Sequence, residues 1–291
     1  MNVVITGATS FIGRSIIKQL LFEKQAMIWA IVRPNSLNLH LLPKDNRINI
    51  IELDMCDIEE LPKFLVKPID VFYHLAWEGV RVPARDNKEL QYKNYQYSMK
   101  AINVCHRLVC KRFIVSGSQA EYGMMQGNID ETYPCNPNTE YGKAKYRTYC
   151  DAIKYAKENG IQLIWTRIFS IYGVGDYQGS LVMTCIKKMR KNESIALTEC
   201  IQKWDYLYID DAARLFVLFA KNEVKCGIYN VASGKSRQLR NYIEEIKQEM
   251  KSDSILEYGN VPYPESGMVS FVPVVDKICQ ELQWQPKISF R

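Results

Sequence analysis

No two of the nine cysteines stand in a C-x-x-C pair, and their number is odd, so neither a disulfide framework nor zinc-ligand spacing is present. Reduced thiols in a cytosol fit that usage. Histidine is scarce: His40, His74 and His106 are the only three, no H-x-x-x-H spacing joins them, and no metal site is expected. No window approaches eighteen uninterrupted apolar residues, and the opening "MNVVITGATS" lacks the charged and apolar regions of a secretory leader. A soluble, cytoplasmic protein with no membrane contact is expected. Strong charge clustering is missing too. Lys and Arg outnumber Asp and Glu by 38 to 32, and the densest basic run, "KKMRK" (187–191), is short enough to be a solvated helix face. That mild excess suits a small anionic ligand and argues against a nucleic-acid surface.

What the chain does have is a series of short apolar runs: "VVIT" (3–6), "MIWAIV" (27–32), "INIIEL" (48–53), "VFYHLA" (71–76), "RFIVS" (112–116) and "IQLIWTR" (161–167). Runs this short and apolar on both faces are the pattern of buried parallel strands. Helical spacing fills the gaps, as in "YSMKAINVCHRLV" (97–109), so the expected fold is α/β, a Rossmann-type doubly wound parallel sheet. After Tyr172 the pattern loosens. Residues 1–171 are expected to form the dinucleotide-binding domain, with 201–233 returning to it. Residues 172–200 and 234–291 are expected to form a smaller, irregular substrate lobe.

Three stretches carry chemistry. In "TGATSFIG" (6–13), Gly7 and Gly13 fall where a first strand hands over to a first helix. Backbone amides and the helix N-terminus there favour a pyrophosphate. In "YGKAK" (141–145), Tyr141 and Lys145 are four apart and share one helical face, capped by Asn138 or Thr139. A phenol with a pKa of about 10 is a poor proton shuttle at neutral pH, and a neighbouring ammonium favours the phenolate. In "RFIVSGSQAEYG" (112–123), a strand ends in hydroxyl residues, Ser116 and Ser118, at the sheet edge where open α/β folds bind ligands. Each stretch alone also has a plain meaning: a turn, a surface pair, a turn cap. Their order and context carry the functional reading.

Together they resemble the extended short-chain dehydrogenase/reductase family, the NAD(P)-dependent epimerases and dehydratases of sugar nucleotides, over nearly the whole chain. "YHLAW", "IDETYPCNPNTEYGKAK", "TRIFSIYGVGD", "DYLYIDDAA" and "LQWQPKISF" are similar to further family segments. The resemblance implies catalysis by Ser118, Tyr141 and Lys145, with Tyr141 as general acid/base on a sugar oxygen. It implies cofactor contacts from Gly7, Thr9, Ser10, Phe11, Ile12 and Gly13 in the first turn, and from Arg33, Asp54 and Met55 after the next strands. Leu75, Ala76, Trp77, Asn94 and Ile168 would complete the cofactor set together with Tyr141 and Lys145. Ser118, Gln119, Ala120 and Ser170 would meet the substrate, a nucleotide-linked sugar or 4-keto sugar. The family also implies a homodimer, and a chain continuing past Arg291.

Departures from the family pattern refine this. The second strand end, "AIVRPNS", has no acid and offers Arg33, so NADP(H) is the expected cofactor, with NAD(H) as the alternative. Dehydratases carry an Asp-Glu pair where this chain has Gln119 and Ala120, which argues against elimination of water. Ser10 replaces a glycine, Ser170 an asparagine and Trp204 an arginine. Arg237 or Arg240, with Lys203 a weaker substitute, is then left to meet a diphosphate. A sugar reductase, a 4-epimerase, a reductase of a non-sugar carbonyl and a non-catalytic dinucleotide sensor all stay open at this stage.

Overall fold

The computed structural model describes residues 1–265 and 267–290; the expected continuation past Arg291 lies outside the described residues. In chain order the first half holds β1 (Asn2–Thr6), α1 (Phe11–Leu20), β2 (Met27–Val32), β3 (Ile48–Glu52), β4 (Val71–His74), α2 (Lys88–Arg107) and β5 (Arg112–Ser118). Next come β6 (Gln126–Ile129), α3 (Glu140–Glu158), β7 (Gln162–Ile168), β8 (Ser170–Tyr172), α4 (Leu181–Met189), β9 (Ile195–Ala196), β10 (Lys203–Trp204) and β11 (Tyr206–Tyr208). The chain ends with α5 (Ile209–Lys221), β12 (Gly227–Val231), β13 (Arg237–Gln238), α6 (Leu239–Glu249), β14 (Leu256–Glu257), β15 (Ser270–Pro273) and α7 (Asp276–Leu282).

Seven strands pair in parallel in the order β12-β7-β5-β4-β1-β2-β3. The apolar runs are apolar on both faces because both faces are covered. Val3 and Ile5 of β1 pack with Ile16, Ile17 and Leu20 of α1 and with Phe216 and Phe219 of α5. Val4, one step along the strand, packs on the other side with Phe72 and Phe113 and with Ala101, Ile102 and Cys105 of α2. Each such side chain, fully buried, contributes about 1.5–3 kcal/mol. A third cluster, including Tyr172, Cys185, Met189, Tyr242 and Ile243, holds α4 and α6 together with the short late strands. Strand order reverses beside β1, whose neighbours are β2 and β4, and the carboxyl ends there form the crevice where open α/β sheets bind ligands. Among the described residues, no helix is long and apolar enough to cross a membrane.

His74, last residue of β4, sits under that crevice. Its Nδ1 is 3.0 Å from the Thr6 hydroxyl and its Nε2 is 2.9 Å from the Ser98 hydroxyl. Burial first, and then the charge of Lys145, push its pKa down to about 3. The unfolded chain therefore takes up a proton as pH falls through about 6.5, whereas folded His74 stays neutral until about 3. Stability should drop across that window by about 1.4 kcal/mol per pH unit from this group alone. Urea midpoints at pH 7, 6 and 5 check this: His74→Gln should flatten the dependence, and an unchanged slope would refute the assignment.

Candidate active site

The first βα turn accounts for its glycines. Gly7 has φ +68°, and a Cβ there would lie 2.8 Å from the Ala76 nitrogen after β4. A Cβ at Gly13 would run into the Gly7 carbonyl, so α1 reaches the turn only because that position has no side chain. Ser10 is the N-cap of α1, its hydroxyl accepting from the Gly13 N–H at 3.0 Å. The serine thus serves the helix as a cap, a role worth about 1 kcal/mol.

This turn borders a cavity of about 550 Å³. Of the expected cofactor residues, Gly7, Thr9 and Ser10 line it after β1, Arg33 after β2, Asp54 and Met55 after β3, Leu75, Ala76 and Trp77 after β4, and Asn94 from α2. Four strand ends therefore converge on one space that begins at a capped helix N-terminus, which fits a dinucleotide. Phe11, Ile12, Gly13, Tyr141 and Lys145 are not on its wall, nor is Ile168, which pairs with Ser118 across β5 and β7. Asn94 clasps the loop after β4: its Oδ1 accepts from the Glu78 N–H at 3.0 Å and its Nδ2 donates to the Glu78 carbonyl at 2.8 Å. Glu78 and Tyr97 line the cavity as well and were not anticipated from the sequence.

Beside the cavity, β5 ends in a capping box. The Ser118 N–H donates to the Glu121 carboxylate at 2.7 Å, and the Ser118 hydroxyl accepts from the Ala120 N–H at 3.1 Å. Glu121 is fully buried and also accepts from Trp165 Nε1 and Arg167 Nε, each at 2.9 Å. Thr139 caps α3 by accepting from the Gly142 N–H at 3.1 Å. A Cβ at Gly142 would strike the Ala120 carbonyl, so the glycine of "YGKAK" lets α3 lie against the 119–121 turn. That contact sets Tyr141 against Ser118.

Lys145 Nζ donates to the Ser116 carbonyl at 2.6 Å and lies 3.7 Å from the centre of the Trp77 ring. Burial drives its pKa down to about 7, with the Glu121 carboxylate opposing. The spacing alone assigns Lys145 the task of lowering the Tyr141 pKa, but its ammonium is 5.9 Å from that ring's centre and bonded elsewhere. The phenol is instead held above its ordinary value. Burial raises it, the Ser118 hydroxyl lowers it, Glu121 raises it, and the guanidinium of Arg85 lowers it.

A family model described as the NAD dependent epimerase/dehydratase family matches residues 3–232. The chain belongs to that family. Its curated relatives include CDP-abequose synthase of Salmonella muenchen, 28% identical over 272 residues, covering 89% of this chain and 84% of the relative. They also include dTDP-6-deoxy-L-talose 4-dehydrogenase (NAD(+)) of Aggregatibacter actinomycetemcomitans, 27% identical over 251 residues, covering 84% of this chain and 89% of the relative. UDP-glucuronic acid 4-epimerase from Bacillus cereus, solved in complex with NAD, superposes with a TM-score of 0.85 at 21% identity, covering 100% of this chain and 95% of its own. At that identity the likeness shows the shared fold.

The NADP(H) expectation is not borne out. Six solved structures of the same fold, the Bacillus cereus epimerase among them, hold NAD. In this family member Arg33 also has a local partner: its guanidinium lies 3.6 Å from the Glu78 carboxylate across the cavity mouth, both side chains largely exposed. The expectation failed because Glu78 is 45 residues further along the chain and only the fold brings it to Arg33.

Two departures from the family pattern meet in space. Trp204 Nε1 donates to the Ser170 hydroxyl at 2.9 Å, while the Trp204 ring packs at a tilt against Phe271 with ring centres 4.7 Å apart. Across the β10–β13 pair Trp204 faces Arg237, which forms an ion pair with Glu245 at 2.7 Å. Arg240 donates to the Glu199 carbonyl at 3.0 Å, and Lys203 is exposed.

Proposed function

We propose that this chain is an NAD(H)-dependent oxidoreductase that interconverts a carbonyl and a hydroxyl on a nucleotide-linked deoxy sugar. The observation that carries this reading is the meeting of Ser118, Tyr141 and Lys145 beside the cavity at the sheet's carboxyl edge. The names of the two curated relatives, an abequose synthase and a talose 4-dehydrogenase, support the substrate class. Bound NAD(H) supplies or accepts the hydride. The first-turn amides and α1 would hold its pyrophosphate, and Asp54 and Met55 would border its adenine end. The Lys145 ammonium would hold the nicotinamide ribose. The Tyr141 hydroxyl moves the proton at the sugar oxygen while the Ser118 hydroxyl hydrogen-bonds that oxygen. Arg237 or Arg240 would meet the diphosphate. Gln119 and Ala120 provide no acid/base pair for elimination, so dehydration is outside this chemistry.

The test is a panel of CDP-, dTDP- and UDP-linked 4-keto-6-deoxy hexoses with NADH and NADPH, followed by cofactor absorbance and product mass. Turnover with NADH in preference to NADPH is expected. Tightly retained oxidised NAD with inversion at C4 would replace this reading by a 4-epimerase. Dinucleotide binding without turnover on the whole panel would refute an enzymatic role.

A further inference from the structure

Arg85 belongs to the short 3-10 turn Ala84–Asp86 that precedes α2. Nothing in the sequence singles it out, because it belongs to no motif. The fold fastens its turn to the start of α3, where Asp86 Oδ1 accepts from the Glu140 N–H at 3.2 Å. The Arg85 guanidinium then lies 5.3 Å from the centre of the Tyr141 ring. Among the described residues, the buried Arg85 Nε has no hydrogen-bond partner, and no carboxylate forms an ion pair with this side chain. Beyond Ser118, the Oε1 of Gln119 is likewise buried and without a partner. A donor and an acceptor are thus left unsatisfied on the two turns packed against α3, an arrangement that buried polar groups adopt when something else completes them. A sugar offers both complements: a carbonyl or ring-substituent oxygen to accept, and a hydroxyl to donate.

Resting on the nucleotide-sugar reading above, we infer that Arg85 is a further substrate-binding residue, donating Nε–H to a sugar oxygen beside the reacting carbon while Gln119 Oε1 accepts from a neighbouring hydroxyl. The charge of Arg85 has a second effect through Tyr141. Ser118 and Glu121 from the turn after β5 and Arg85 from its own turn act on this phenol, and on α3, which also carries Glu140, the Lys145 ammonium lies 5.9 Å from its ring centre. Glu140 is engaged with Lys143 at 2.8 Å and Lys145 with the Ser116 carbonyl. Glu121 disfavours the phenolate and Arg85 favours it. Removing Arg85 therefore raises the Tyr141 pKa and moves the acid limb of the sugar-oxidation rate to higher pH.

The experiment compares wild type with Arg85→Gln and Arg85→Lys. Arg85→Gln should raise KM for the sugar by about 10- to 100-fold, the worth of a charge-assisted hydrogen bond, and shift the acid limb up by about one pH unit. Arg85→Lys keeps the charge without the planar fork, so the pH profile should return while KM stays high. A substrate-free measurement runs in parallel: the ultraviolet titration of Tyr141, taken as the difference between each protein and its Tyr141→Phe counterpart. Its midpoint should rise in Arg85→Gln and recover in Arg85→Lys. In Arg85→Gln, unchanged KM and midpoint would overturn the inference, and so would a change in one without the other, since one guanidinium is held responsible for both. If no nucleotide sugar turned over, the functional reading and the sugar contact would fall together, while the titration would separately decide whether Arg85 acts on Tyr141.

Discussion

Tyr141→Phe should lower turnover by about two to four orders of magnitude, the usual worth of a positioned general acid or base. NAD(H) affinity should stay within a few-fold of wild type. The ring survives the substitution, and with it the edge contact to Trp77, ring centres 6.0 Å apart. The cation side of Lys145 is also untouched, because that ammonium is bonded to the Ser116 carbonyl and not to the phenol. What disappears is the hydroxyl proposed to exchange a proton with the substrate oxygen. Because kcat and kcat/KM should fall together, the loss belongs to the transition state and not to ground-state binding. Stopped-flow turnover beside dinucleotide titration separates the two. Normal turnover in Tyr141→Phe would remove the residue from the mechanism.

How much of this site was legible in the sequence depends on how far apart its parts lie. The first turn and the Tyr141–Lys145 pair were legible because each is set by local backbone geometry: a left-handed glycine, a four-residue helical step. The alternation of strands and helices was legible for the same reason, since burial on both faces leaves its mark strand by strand. Contacts between distant segments were not. Arg85 and Tyr141 are joined only because the turn before α2 is pinned to the start of α3. Ser170 and Trp204 read as two separate substitutions until the fold places one indole N–H on one hydroxyl. The ionisation of Tyr141 meets the same limit. Spacing shows that Lys145 is near, but it cannot show that burial dominates both groups or that the ammonium is bonded elsewhere.

Glu121 is the deepest of these hidden parts, and Glu121→Ala should be the most destabilising single change at the site. Its carboxylate is wholly buried and accepts from the Ser118 amide, the Trp165 indole and the Arg167 guanidinium. Arg167 is itself buried, with its guanidinium over the Tyr122 ring at 4.4 Å. Burial opposes its charge most strongly, and Glu121 together with Tyr122 more than offsets that, so its pKa stays raised. Truncating Glu121 leaves a buried cation without its counter-charge, a loss of about 3–5 kcal/mol, or on the order of 10 °C in melting midpoint for a chain of this size. Stability and function should then separate in a second variant. Pairing Glu121→Leu with Arg167→Met removes both charges and should recover part of the stability, because an apolar pair replaces a buried ion pair at little cost while the Trp165 indole and the Ser118 amide still lack their acceptor. Turnover should remain low in that double variant, since the Ser118 amide has lost the acceptor that closes its capping box and fixes the hydroxyl beside Tyr141. Thermal melts, urea midpoints and turnover on the same preparations give the comparison. A Glu121→Ala protein as stable as wild type would contradict the buried-pair argument, and full activity in the double variant would contradict the positioning of Ser118 by Glu121.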